Sequence, residues 1–591
     1  MRGHMMRHAL SAAVRTTTRR LDVAGKSTRI SLPVNTRSIT ARSKASSSSS
    51  GPTSRTLAIC VAAGLAGCLT FAQLGRNTLA EAPPKDNEEK PEHRLFRLDE
   101  INRHNRETKG YWVYRGDRVY DITDWVPNHP GGDVILRAVG GSVEPYWCVT
   151  EGCNPTRFLR QYTNLNHLRC RNIFTIHQNK DVYEILEQYF IGKIDPRDLV
   201  DGHAPQDKID DPFKSDPTRD PALVIHTPKP CNAETPDQDL GSYVTPTEKF
   251  YVRNHLWVPS VSDPGSYRLT IELPDGEEAS YSLEDLRTKF KQHTINATLQ
   301  CSGNRRLHMT QGSRSTNGLQ WGVGAISNAE WTGVKLRDVL ADSGFAIADI
   351  PDDVKHAQFV GMEAYGASIP IDKACDKNGD VMLVHTMNGQ DIPRDHGYPL
   401  RVLVPGTVAA RSVKWINKIV LSEDESTSQW QRRDYKCFGP NEGDKPNWDA
   451  APAIQETPVQ SAITSVRWLT ADRLRDNDLA RAYGLEEESI VLQGYAFSGG
   501  GRGIIRVDVS TDDGRTWTQA QLKQHESKGS KSWSWQQWEL AIPARKARGY
   551  FCVKAVDESY NTQPEGFEPY YNFRGNLANG WHRVPVHRSD K

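Results

Sequence analysis

Leu299-Gln300-Cys301-Ser302-Gly303-Asn304-Arg305-Arg306 decides how this chain of 591 residues is read. A cysteine followed by Ser-Gly-Asn turn residues and two arginines puts a thiol beside a fixed pair of guanidinium groups. Adjacent arginines lower a cysteine pKa, and the resulting thiolate is a soft metal ligand. Guanidinium forks grip oxyanions through paired, charge-assisted hydrogen bonds. One short loop can therefore hold a metal and place an oxyanion next to it. Taken alone, the same residues describe a buried cysteine beside a surface arginine pair, so the neighbouring segments have to decide.

The length calls for about three or four domains. A content of 37% hydrophobic and 25% charged residues is that of soluble globular material. The formal charge of +1 hides an asymmetry: residues 1–55 carry eleven Lys/Arg against one acid, Asp22, and the remainder is net acidic. An Arg-, Ser- and Thr-rich, acid-poor start is the composition of a transit peptide. Thr56 to Leu74 follows as an uncharged, mostly small and apolar run, barely as long as the ~20 residues a bilayer core requires. Together the two segments resemble bipartite signals for the mitochondrial intermembrane space; a retained inner-membrane anchor is the alternative. Lys85–Glu92 is a charged linker, so 1–92 is set aside from the fold and the mature protein is expected to begin within 75–92. Membrane contact is expected only through 56–74, and no nucleic-acid partner is expected. The ten cysteines contain no Cys-x-x-Cys pair, which argues against a disulfide framework or a zinc ribbon.

Upstream of the decisive loop, residues 93–195 form a module of their own. Tyr111 to Thr123 reads as two short strands around an Arg-Gly-Asp-Arg turn. Trp125-Val-Pro-Asn-His129-Pro130-Gly131-Gly132-Asp133 follows; Pro-Gly-Gly pins a tight turn, and Asp133 can open a helix over 134–138. This stretch resembles cytochrome b5, which implies that His129 is an axial ligand of a b-type haem. The second implied ligand, His177, leads a segment with Val182, Ile185, Leu186 and Tyr189 at helical spacing. It lies 48 residues beyond His129, twice the spacing the resemblance implies, and removing the 24-residue segment Cys148–Arg171 would restore it. With three cysteines and no periodicity, that segment reads as an insertion foreign to the module, in the manner of an in-frame retained intron. Two other readings compete. His167 as the ligand lacks an amphipathic helix, and Cys148, Cys153 and Cys170 with His167 match no compact zinc spacing. Residues 196–224, rich in Asp, Pro and Lys, are expected to be a flexible tether.

Around the decisive loop, several motifs fall in order. They are Lys229-Pro-Cys-Asn-Ala-Glu-Thr-Pro236, Phe250-Tyr-Val-Arg253-Asn254-His255, Gln300–Arg306, Trp331-Thr-Gly-Val, Ala364–Pro370, Met387–Arg401 and Arg432-Arg-Asp434-Tyr435. The order resembles the molybdenum domain of the sulfite oxidase family, over about 225–450. The resemblance implies that Cys301 ligates molybdenum. Arg253, Arg306 and Tyr435 would line the substrate pocket with Trp321 and Arg583. Phe250, Asn254, His255, His396, Arg401 and Lys414 would contact the molybdopterin and its phosphate. Three departures stand out. Only Met362-Glu363 separates Gly361 from Ala364, where the family carries a longer acidic loop, so either Glu363 substitutes or a pterin contact is missing. Cys437 stands where glycine is usual, and Ser302 where alanine is common.

Residues 451–591 complete the chain. Ile505, Val507 and Val509 alternate with polar residues, Asp513-Gly514 makes a hairpin turn, and Trp533, Trp535, Trp538 and Tyr550–Val556 follow. Short strands with turns indicate an immunoglobulin-like β-sandwich, which the resemblance makes a dimerisation unit. The expected architecture is therefore α+β and multidomain: a cytochrome b5-like haem domain, a mixed α/β molybdopterin domain and a β-sandwich. The implied activity is oxidation of sulfite to sulfate, with molybdenum-molybdopterin and haem b as cofactors. The implied partners are a second copy of the chain and cytochrome c as electron acceptor. Peptide mass spectrometry of the native protein tests the insertion: no peptides from 149–169 are expected, and their abundant recovery removes the idea.

Overall fold

The computed structural model describes residues 93–105, 110–126, 129, 132–147, 180–205, 211–363, 365–439, 442, 446–474, 477–523 and 531–586. The presequence and apolar segment of 1–92, the 148–171 insertion and His177 lie outside them. No helix among the described residues is long and apolar enough to cross a membrane.

In the first module Leu95–Phe96, Phe190–Ile194, Arg118–Asp121 and Trp112–Arg115 make one sheet in that order, with only the first pair parallel. Val113 and Tyr120 are buried from its two antiparallel strands and pack with Ile122, Val126, Ala138, Val143 and Leu186. The helix expected over 134–138 is a 3-10 helix, Gly132–Arg137, so Asp133 lies within it and not at its start, and the later helix is described over Lys180–Glu187. The His129 N–H donates to the Val126 carbonyl at 3.2 Å.

From Asp211 onward the expected tether is not free. Phe213 is buried with its ring 6.5 Å from Trp257, and the Asp216 carboxylate accepts from the Val258 N–H at 2.9 Å. Arg219 clamps Asp395 with two bonds of 2.9 Å. The aspartates that make this segment look solvated in sequence are the groups that fasten it. The first module also touches the central domain directly. Arg137 donates to the Met362 carbonyl at 3.0 Å and lies 4.7 Å over the Trp257 ring, which Tyr146 meets edge-on at 5.6 Å.

The central domain holds two five-stranded sheets. In one, His293–Gln300, Ile326–Lys335, Met382–Met387 and Gln390–Asp391 are neighbours in that order, with Arg401–Leu403 also paired to Met382–Met387. The other runs Gly366–Pro370, His356–Gly361, Ile416–Ser422, Arg268–Glu272, Glu278–Ser282. Short helices close the edges; Leu283–Thr288 starts on a capping box between Ser282 and Asp285, which satisfies two otherwise orphaned backbone donors. Strand His293–Gln300 matters most, because it ends where Cys301 begins.

The C-terminal unit places its core between two four-stranded sheets. One is Gln460–Leu469, Ser489–Phe497, Gln536–Pro543 and Gln521–Leu522; the other is Thr518–Gln519, Ile504–Ser510, Tyr550–Asp557 and His582–Pro585. The alternation seen in sequence holds for Val507 and Val509, both buried, but a register shift between Ile504 and Arg506 turns Ile505 out to 45% exposure. Asp513 and Gly514 both have positive φ, 61° and 86°, as a type I′ turn requires.

The central and C-terminal units share their cores. Tyr495, Phe497 and Trp535 pack with Leu240, Val323 and Ile326, and Trp533 joins the cluster that contains Cys301. Asp380 fastens the junction, accepting from the Trp533 indole and Lys531 at 3.0 Å each and pairing with Lys335 at 3.1 Å. Burial raises its pKa, but these donors outweigh burial and hold it below the ordinary value. Replacing Asp380 by alanine strips a buried cluster of its one anion, and denaturant unfolding should show a loss of about 3 kcal/mol at neutral pH. Because the folded pKa is depressed, that difference should vanish in acid, as pH falls through it.

Candidate active site

Cys301 is fixed by its own backbone. Its N–H donates to the Ala325 carbonyl at 2.9 Å, and its carbonyl takes the Asn304 N–H at 2.9 Å, closing a tight turn. The Gly303 N–H points at the Cys301 sulfur at 3.4 Å, a donor suited to a thiolate. Gly303 cannot be replaced cheaply, because a Cβ there would lie 2.7 Å from the Arg306 guanidinium, which hydrogen bonds to Arg574, Leu319 and Asn576 hold in place. Arg305 takes a left-handed conformation (φ 64°) at the cap of the helix Arg306–Gly312.

The sulfur opens into a cavity lined by Phe250, Arg253, His255, Glu363, His396, Arg401, Lys414 and Tyr435, among others. The Tyr435 hydroxyl is hydrogen-bonded to Nε2 of His255 at 2.8 Å. Arg253 is aimed by bonds to the Asn254 carbonyl (2.7 Å) and Asn232 Oδ1 (3.1 Å). Lys414 donates to the carbonyls of Asp395 (2.9 Å) and Arg253 (3.1 Å) and to the Asn254 side chain, which itself donates to Asp395 at 2.9 Å. Arg401 donates to the His396 carbonyl at 3.0 Å, while its Nε is buried without a partner. Phe250 stands edge-on to His396 at 5.1 Å.

Burial dominates the electrostatics. It pushes Lys414 down to about 7 and Arg306 and Arg401 down to about 10. The same desolvation drives His396 down to about 3 and holds His255 well below its ordinary value, with Arg253 and Lys414 adding to the second effect. Both imidazoles are therefore neutral. Tyr435 is raised to about 12, so its hydroxyl keeps its proton. Glu363 is raised to about 8, and its Oε2 is buried with no partner. Cations thus outnumber ionised acids among the buried groups of the pocket: Asp395 is committed to Arg219, and Glu363 is held neutral. The pocket calls for an anion, and the unpartnered Arg401 Nε and Glu363 Oε2 call for a polar ligand. A cysteine sulfur, a buried cationic recess and orphaned polar atoms fit molybdenum-molybdopterin.

Most of the expected residues meet here. Asn254 lies just behind the lining, holding Lys414. Trp321 is not on the cavity; it is buried in the cluster under Cys301, edge-on to His226 at 4.9 Å. Arg306 does not line the cavity; it lies behind the loop, donating to the carbonyls of Leu319 (2.8 Å) and Arg574 (2.9 Å) and to Asn576 Oδ1 (3.1 Å). Arg583 is a correction. It lies on the strand His582–Pro585, bonded to the Glu565 carbonyl (2.8 Å) and carboxylate (3.1 Å) and lying 5.3 Å over Trp581, outside the pocket. Arg574, in the same stretch of chain, does not line the cavity either, but its carbonyl accepts from Arg306 and its guanidinium donates to Asp434 at 3.0 Å, one residue before Tyr435. The signal for it is present in Asn572-Phe-Arg-Gly, but the choice between two arginines in one tail needs the fold.

Residues 255–430 match the oxidoreductase molybdopterin binding domain, 451–589 the Mo-co oxidoreductase dimerisation domain, and 97–195 the cytochrome b5-like heme/steroid binding domain. With the cavity at Cys301, these matches define a molybdopterin oxidoreductase carrying a haem module. A mitochondrial sulfite oxidase of Mus musculus is 41% identical over 505 residues, covering 83% of this chain and 84% of its own length. Sulfite oxidase of Gallus gallus is 41% identical over 506 residues, covering 83% of this chain and 100% of its own. A nitrate reductase of Hordeum vulgare is 34% identical over 389 residues, but only 42% of it is covered. The chain belongs to the sulfite oxidase family, with molybdopterin and haem as its cofactors.

Glu363 gives a pH-dependent prediction. In the cofactor-free protein its folded pKa, about 8, exceeds the value of 4.5 for a free glutamic acid. Between those limits the unfolded chain has released this proton and the folded chain still holds it, so stability falls as pH rises. The melting temperature of cofactor-free Glu363→Gln should therefore rise relative to the unsubstituted protein from pH 5 to 8, then level off. A gap that does not change with pH removes this role.

Proposed function

We propose that this protein oxidises sulfite to sulfate at a molybdenum-molybdopterin centre and sends the electrons singly through a b-type haem to cytochrome c. The observation that carries the reading is the convergence of Cys301, Arg253 and Tyr435, backed by Arg306 and Arg574, at one desolvated cationic cavity. Phe250, His255, His396, Arg401 and Lys414 would hold the pterin and its phosphate, Cys301 the metal, and His129 with His177 the haem iron. Bound there, the two groups supply oxygen-atom transfer with two-electron chemistry and a one-electron exit.

The chain's own residues do the rest. Sulfite and sulfate are dianions, so fixed guanidinium groups offset their charge in a site where water cannot. Arg253, Arg306 and Arg574 supply that charge, each pinned by carbonyl or carboxylate partners so that little reorganisation is needed. Tyr435 keeps a proton on its oxygen and can donate it to an oxyanion oxygen without an ionised acid in the pocket. Trp321, under the loop, supports the position of Cys301 rather than touching substrate.

The C-terminal unit is read as an immunoglobulin-like dimerisation module, giving a homodimer, and the N-terminal composition favours the mitochondrial intermembrane space. There the net-acidic mature chain would meet a basic electron acceptor by charge complementarity. Sulfite-dependent cytochrome c reduction by the purified dimer tests the reading. Nitrate reduction with a reduced dye would replace it by a reductase, and no turnover with molybdenum bound by a scaffold role. Within it, Arg574→Gln should raise the KM for sulfite by about ten- to a hundredfold, the scale of one charge-assisted hydrogen bond. Arg583→Gln should leave that KM within about threefold, as expected of an exposed ion pair. The opposite order would restore Arg583 to the site.

A further inference from the structure

Asn576 lies in the turn that follows Arg574, 1% exposed, in the C-terminal unit. Its main chain is fixed at both ends by one side chain: its N–H donates to Asn572 Oδ1 and its carbonyl accepts from Asn572 Nδ2, each at 3.0 Å. The carboxamide is therefore presented rigidly. Its Oδ1 accepts from the Ser302 hydroxyl and from Arg306, each at 3.1 Å. Its Nδ2 donates to the Lys436 carbonyl at 3.2 Å and to the Asp434 carbonyl at 3.4 Å. A carboxamide has two acceptor positions and two donors, and all four are in use. The network also fixes which end is oxygen, since the reverse would set N–H groups against Arg306 and an oxygen against two carbonyls.

The four partners are not a random set. Ser302 follows Cys301, and Arg306 closes the same loop. Asp434 and Lys436 flank Tyr435. We propose that Asn576 is a positioning residue for sulfite oxidation, a single amide that sets the thiolate loop and the tyrosine loop at a fixed distance from each other. The proposal rests on the function inferred above, but the geometry it concerns does not.

The physical reason is that neither loop is regular structure. The Cys301 loop leaves its strand at Gln300, and Tyr435 follows a single wide helical turn over Trp430–Asp434. A buried bridge between two such loops restricts both, and the cost of leaving any of its four partners unsatisfied keeps it closed. Ser302 takes part only because it carries a hydroxyl; alanine there would leave one acceptor position unused. A second tie runs alongside, since the Leu577 N–H donates to the Ser302 carbonyl at 2.7 Å. This backbone bond survives any side-chain substitution at 576, so the loops would loosen rather than come apart. Reactions that depend on placement lose rate steeply with small displacements.

Two substitutions separate the halves of the clasp. Asn576→Leu removes all four bonds. Asn576→Asp keeps the acceptors for Ser302 and Arg306 but sets a carboxylate against the carbonyls on either side of Tyr435. Hydrogen exchange on the purified dimer should show faster exchange in both 300–306 and 433–437 for N576L, and chiefly in 433–437 for N576D. Turnover per bound molybdenum should fall about tenfold or more in N576L with little change in KM. In N576D the KM for sulfite should rise as well, because the new charge partly neutralises Arg306. Exchange confined to the 570–580 turn, or turnover per molybdenum within about twofold of the unsubstituted protein, would overturn the proposal. Should N576L fail to fold, N576D alone decides it by the same exchange pattern. If the unsubstituted protein does not oxidise sulfite, the function fails while exchange still reports on the clasp.

Discussion

Between Ser302 and Arg306 each polar side chain finds a partner outside its own domain. Ser302 and Arg306 meet Asn576, Asn304 donates to the Tyr495 hydroxyl at 3.1 Å, and Arg305 donates to Gln460 at 2.7 Å and the Ser461 carbonyl at 3.1 Å. The loop that presents the thiol is thus built by one domain and immobilised by another. Cleanly separable domains could not do this, which explains why the two units share apolar clusters around Trp533 and Trp535 instead of meeting across a wet interface. The arrangement carries a structural cost. Arg305 is wholly buried, with Nε and one terminal nitrogen unpartnered, and burial pushes its pKa down to about 10. Such a residue is hard to justify as a source of stability, since buried charge rarely repays its desolvation. Its use is to hold the loop in one conformation.

The pocket follows the same logic with the opposite sign. Lys414, Arg401 and Arg306 have been taken out of water in a region where the nearby acids are either committed elsewhere or neutral. Desolvated cations without counter-charge oppose folding and favour any anion that fits. The site is consequently incomplete as protein, and its affinity for an anionic cofactor and a dianionic substrate derives from that incompleteness. Asp395 shows how finely this is balanced. It lies close enough to lift Lys414, yet Arg219 from the 211–223 segment occupies both its oxygens. A stretch that reads as a linker thereby limits how much negative charge reaches the pocket.

Legibility in the sequence follows locality. Cys301, Arg253, His255, His396 and Tyr435 sit in short motifs whose turn residues and spacings carry their own geometry, and the structure gathers them in one cavity. The strands around Val507 and Val509 are legible for the same reason, because period-two burial is a local property. What fails is what depends on a distant partner. Ile505 continues the apolar alternation, but a register shift set by the neighbouring strand turns it outward. Arg574 and Arg583 are equivalent in sequence, and only the path of the final strand separates the one beside Tyr435 from the one over Trp581. The 196–224 segment has linker composition, and its attachment is visible only once Asp395 and Val258 are placed opposite it. Asn576 carries no signal at all, since a lone asparagine after glycine describes a turn anywhere in a protein.

The turn at Gly361–Glu363 brings these threads to one place. Met362 turns its carbonyl outward to Arg137 of the haem module, and Glu363, the next residue, turns its carboxyl inward to the cofactor cavity. Adjacent residues therefore form the surface the haem module touches and the wall the pterin would touch. Arg137 and Lys414 both pull the Glu363 pKa down against the larger effect of burial. Arg137 of the first module and Lys414 of the central domain thus act on the same carboxyl, one from outside the turn and one from within the cavity.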